Sequence, residues 1–143
     1  MKTNITNTFF LILLLGIVTS CKIQNQQLEC KDFINGTFEF YDNEINKKYI
    51  LIRKNESQIE KVYNLTTNEL EINPPRIMKI TWLNECEYNA MLDTTKSKFD
   101  ELDLQMISAG GVNNKIIKIV KNCAETEASI GNFKKNFKIC KKN

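Results

Sequence analysis

Cysteine is the residue with the widest choice of chemistry in this chain, which holds five of them and no histidine. Without histidine the commonest general base and the commonest metal ligand are both missing. Cys21, Cys30, Cys86, Cys123 and Cys140 form no C-x-x-C pair. That spacing argues against a redox-active dithiol and against a Cys₄ zinc site, so neither metal nor cofactor is expected. Glu85 and Glu87 flank Cys86 in NECEY, and paired carboxylates can do acid–base work. On a strand they share the face opposite Cys86, where carboxylates are usually solvated. No catalytic residue is assigned, and the chain reads as a non-enzyme. Trp82 and Tyr88 are the candidate ligand contacts, two aromatic side chains able to line a barrel mouth. The competing reading is ordinary core and rim packing.

Cys21 stands apart from the other four. Residues 1–20 read as a secretory signal peptide, with Lys2 before the ten-residue apolar run Phe9–Val18. That run is too short for a bilayer, which takes roughly 20 apolar residues. It ends in Val18-Thr19-Ser20-Cys21, which resembles a bacterial lipobox. The resemblance implies lipidation of the Cys21 thiol, cleavage before it and acylation of the new amino terminus. Several acyl chains anchor where one would not. Residues 21–29 are then a lipidated polar tether and 30–143 one folded domain. Cys21 is not followed by an acidic cluster of the kind that resembles a lipoprotein surface-export signal, so the expectation is a periplasm-facing protein of the outer membrane rather than a surface-exported one.

The domain must come from the periodicity of the rest. Gly36–Asp42 (GTFEFYD) alternates, with Phe38 and Phe40 on one face. Lys48–Arg53, Ser57–Tyr63, Ile77–Leu83, Cys86–Leu92 and Asn114–Lys121 read as further strands. Asn73-Pro74-Pro75 falls in a loop, since proline cannot continue a ladder. Phe99, Leu102, Met106 and Ala109 are spaced 3, 4, 3. That spacing predicts one amphipathic helix over about 96–109, capped by Thr94 or Thr95, with this stripe covering the sheet.

The last hairpin is legible in register. Cys123–Ile130 and Phe133–Cys140 flank Gly131-Asn132, a Gly-first loop suited to a type II′ turn. Pairing Ile130 with Phe133 sets Cys123 opposite Cys140 and Glu125 opposite Lys138. It leaves Lys135 as the one misfit on a face shared by Ala124, Thr126, Ala128, Ile130, Phe133, Phe137 and Ile139. Thiols so close favour a disulfide, and an even count in an exported chain leaves Cys30 for Cys86. The fold class expected is mainly β (α+β). It is an antiparallel meander of seven or eight strands with one covering helix, either an open sheet or a small lipocalin-like barrel.

CKDFINGTFEF (30–40), ITWLNECEY (80–88) and ASIGNFKK (128–135) occur in that order, with Ile52-Arg53 and Ser57–Glu60 between them. Together they resemble small uncharacterised lipoproteins of Flavobacterium-like Bacteroidetes. The resemblance implies an exported, antiparallel β-rich domain with no established activity. Overall charge is near balance, with 20 Lys and Arg against 17 Asp and Glu, which is no nucleic-acid footprint. Lysines nevertheless gather late, at 115, 118, 121, 134, 135, 138, 141 and 142. They read either as a basic face for anionic headgroups or as protection of a sheet edge. The function expected is a lipid-anchored cell-envelope protein with a binding or accessory role. Its partners are the membrane, through the anchor, and an envelope protein or a small apolar ligand. The alternative is a structural or inhibitory protein-interaction module.

Overall fold

The computed structural model describes residues 27–142. Eight strands follow in chain order: β1 (Gly36–Asp42), β2 (Lys47–Lys54), β3 (Ser57–Asn64), β4 (Arg76–Asn84), β5 (Glu87–Leu92), β6 (Val112–Val120), β7 (Cys123–Ile130) and β8 (Phe133–Lys141). Each pairs antiparallel with the next, and β8 returns to β1, so the meander closes into a barrel. Both expected forms of the meander are thereby reduced to one. The closing seam is short, Phe38↔Lys141 and Glu39↔Cys140. Closure shortens the edges that an open sheet would expose.

Inward residues alternate as the strand period demands. Phe38, Leu51, Ile116, Ala124 and Ile139 form one buried cluster with Phe33. Phe33 comes from a short 3₁₀ turn, Cys30–Phe33, that precedes β1 and is fully buried. Met78, Ile80, Tyr88, Ala90 and Leu92 form a second cluster. The apolar run of β6 does not alternate because the strand carries a register shift between Ile116 and Lys118. The extra residue, Ile117, leaves two successive positions, Ile117 and Lys118, turned to solvent after the buried Ile116. Outward positions carry Lys61, Lys79, Lys115, Glu125 and Lys138, all on the strands. Such a surface is no lipid-facing apolar band. No helix among the described residues is long and apolar enough to cross a membrane.

The β7–β8 register is the one expected, with Ile130↔Phe133, Glu125↔Lys138 and Cys123↔Cys140 opposed. Gly131 takes φ 54°, as the first position of a II′ turn requires. Disulfides join Cys123 to Cys140 and Cys30 to Cys86, with Cα–Cα distances of 3.9 and 5.0 Å.

Two expectations are corrected. The helix, α1, runs only from Glu101 to Ser108, and its cap is Asp100, not Thr94 or Thr95. Asp100 accepts from the Asp103 amide and Asp103 accepts from the Asp100 amide, which closes a capping box. The predicted stripe does not face the sheet as a unit: Leu102 is 71% exposed and Phe99 is 49% exposed, while Asp103 is buried. Of that stripe Met106 does make the apolar contact, joined by Ile107, which the spacing did not include. Gly111 then lets the chain turn back tightly into β6, since a Cβ there would stand 2.7 Å from the Ala90 carbonyl. The second correction concerns the late lysines. β8 meets β1 only at Cys140 and Lys141, and four of the late lysines are ion-paired rather than left as a free basic face. Lys115, Lys134, Lys135 and Lys142 reach Glu87, Glu127, Asp42 and Glu39.

Candidate functional site

A cavity of about 310 Å³ lies inside the barrel, walled by members of both buried clusters and by α1. That is the small end of the range for ligand sites. Its apolar wall is built by Phe40, Tyr49, Leu51, Met78, Met106 and Phe137, among others. Phe40 stacks on Tyr49 with ring centroids 4.3 Å apart and leans on Phe137 at 4.9 Å. These residues arrive there because each is in phase with the buried positions of its strand.

Charge is admitted to the wall in two paired groups. Lys135, the polar misfit of the hairpin face, places its Nζ 2.8 Å from Asp42 and 2.7 Å from Glu44. Those hydrogen bonds, that to Asp42 first, raise the Lys135 pKa above the usual lysine value. On the helix side, Arg76 donates to Asp103 at 3.0 Å and stands 3.5 Å from Glu60. Burial pushes the Glu60 carboxyl above the ordinary carboxylate range, although Arg76 pulls the other way. Tyr49 is pushed up to about 12, first by burial and then by the negative charge of Glu60 and Asp42. The Arg76 Nε is buried without a hydrogen-bond partner.

At the other end of the cavity lies a third group. Arg53 is 3% exposed. Its Nε donates to Gln58 Oε1 at 2.8 Å, one Nη donates to the Phe33 carbonyl at 2.9 Å, and the other donates to the Tyr88 hydroxyl. The guanidinium also lies over the rings of Tyr88 and Phe38, at 4.4 and 5.1 Å from their centroids. Its hydrogen-bond acceptors are neutral. Gln58 and Tyr88 both line the cavity and both are buried.

Tyr88, one of the two candidate ligand contacts, lines the cavity. Trp82 packs behind it, ring centroids 4.7 Å apart, and is not part of the wall. Its indole Nε1 is buried without a partner. Glu85 is exposed in the β4–β5 turn. Glu87 bonds Lys115 and Asn84, and those bonds hold its carboxyl below the usual range. The two do not form an acid–base pair. Cys30, Cys86, Cys123 and Cys140 are all spent in disulfides. Cys21 lies outside the described residues. No cluster of three or more metal-ligating side chains occurs among the described residues.

Arg53, Gln58, Glu60, Arg76 and Lys135 were not singled out as site residues by the sequence. A signal existed in parity. Arg53 is in phase with Tyr49 and Leu51, and Gln58 and Glu60 are in phase with Val62. Polar residues on an inward face mark a polar interior. No protein-family model, curated protein or solved structure matches this chain.

Proposed function

We propose that this protein is held to the bacterial envelope by lipid on Cys21 and carries a small, largely apolar ligand in its barrel. The observation that carries the reading is the cavity of about 310 Å³, with apolar walls and a few buried polar groups aimed into it. The lipobox-like VTSC and the resemblance to small Bacteroidetes lipoproteins support the anchor and a periplasmic-facing outer-membrane location. Two disulfides support an oxidising compartment. The role is binding or accessory, since the buried acids are engaged with Arg76 and Lys135 rather than set beside a nucleophile.

The test is the native mass of the protein purified in mild detergent from its own envelope. A bound molecule on the order of a few hundred daltons, as a site this size would hold, together with the mass of acyl chains on Cys21, is the expected result. Triacylated protein without further mass would remove the ligand. A stoichiometric protein increment would put partner binding in its place. An unmodified amino terminus would remove the anchor.

A further inference from the structure

We propose that the ligand is an amphipathic carboxylate whose head sits on the Gln58–Tyr88 floor of the cavity and whose apolar tail points toward Phe40 and Met106. The inference rests on the ligand-binding reading above and names the chemistry of what is bound.

Donor and acceptor bookkeeping carries it. Arginine has donors only. Its bond to Gln58 therefore fixes Oε1 toward Arg53 and leaves the Gln58 Nε2 amide turned away, with no partner among the described residues. The same logic applies to Tyr88. Its oxygen accepts from Arg53, so the hydroxyl proton must point elsewhere. Both residues line the cavity. Two free donors thus belong to residues that line the space, both backed by one buried cation, Arg53, that has no carboxylate partner among the described residues. Gln58, Tyr88 and Arg53 are 4%, 3% and 3% exposed, so little water competes. Such a floor selects a hydrogen-bond acceptor and, of acceptors, a negatively charged one.

The other charged groups do not offer the same welcome. Glu60 and Asp103 share Arg76, and Lys135 is held by Asp42 and Glu44. The remaining wall is apolar, which suits a hydrocarbon tail. At about 30 Å³ for each water-sized group, 310 Å³ holds ~10 non-hydrogen atoms, the size of octanoate.

Trp82 provides the readout. It is the only tryptophan in the chain and its ring packs on Tyr88. The full-length oxidised protein, in phosphatidylcholine vesicles with protein-free vesicles subtracted, is titrated with octanoate, octanol and octylamine. Trp82 emission and heat are followed together. Octanoate is expected to shift the emission and to bind about tenfold tighter than octanol, as one charge-assisted hydrogen bond warrants. Octylamine is expected to bind weakest. The decisive variant is Gln58→Glu, nearly the same in shape. It gives Arg53 a carboxylate of the protein's own, so the fold is kept and the floor is neutralised. It should cost octanoate about tenfold and leave octanol unchanged. Octylamine binding as tightly as octanoate, or octanoate indifferent to Gln58→Glu, would overturn the carboxylate while leaving a ligand-binding cavity. No response to any of the three amphiphiles would overturn the cavity reading itself.

Discussion

Arg53 is enclosed almost completely, and aromatic rings and neutral acceptors stand where a carboxylate would be expected. A buried charge without a charged partner is costly unless every donor is used. Tyr88→Phe removes one acceptor and keeps the ring. It should destabilise the fold by about 1.5–3 kcal/mol, the usual cost of losing a hydrogen bond to a charged group; urea unfolding measures it. Glu60 makes a different prediction. Its folded pKa is raised, first by burial, so between its unfolded and folded values the folded state holds more protons. Its contribution to stability is therefore greatest at acid pH and falls as pH rises from about 4.5, the ordinary carboxylate value, through the raised one. Glu60→Gln abolishes that fall. Unfolding curves of both proteins from pH 4.5 upward should diverge in the variant's favour as pH rises, and parallel curves would sink the assignment. None of this was legible in KYILIR, which reads as apolar on both sides until Tyr88, distant in sequence, is brought beside Arg53.

At the scale of elements, the Cys30–Phe33 turn matters more than its length implies. The Cys30–Cys86 bond fastens it to the barrel, and Phe33 packs on Phe38 with centroids 5.5 Å apart. Its carbonyl is also one of the acceptors of Arg53. Phe33→Ala should cost about 3–5 kcal/mol by opening a cavity at a fully buried site, read by thermal and urea unfolding. The two disulfides should differ with the loop each closes, 56 residues against 17. Replacing both cysteines of a pair by alanine should cost about 4 kcal/mol for Cys30–Cys86 and about 3 kcal/mol for Cys123–Cys140 in the chain-entropy account. An inverted order would mean that strain or residual structure dominates. The β7–β8 hairpin was readable to the residue because turn type, alternation, charge pairing and thiol proximity all select one register. The helix was not. Its 3, 4, 3 apolar spacing competes with Arg76, whose partly buried guanidinium draws Asp103 inward and so turns Leu102 out.

For the whole molecule the decisive event is closure. The β1–β8 seam pairs only Phe38 with Lys141 and Glu39 with Cys140, supplemented by the Lys142 amide donating to the Thr37 carbonyl at 2.8 Å. The β7–β8 pair runs the full length of β7, takes in β8 from Phe133 to Cys140 and carries a disulfide. Amide exchange should therefore open the seam first, with the Lys142 amide ahead of the β7–β8 ladder amides. Uniform protection around the barrel would show that closure is cooperative with the rest. Sequence alone determined the meander, most strand boundaries and the pairing of the four domain cysteines. These depend on a period of two, on turn residues and on neighbours within one hairpin. Only tertiary structure decided that the sheet closes, that a cavity remains and that charge lines it. Lys135 meets Asp42 across 93 residues and Arg53 meets Tyr88 across 35. No local pattern encodes such meetings; they follow from strand order and from which inward residues share a level once the last strand finds the first.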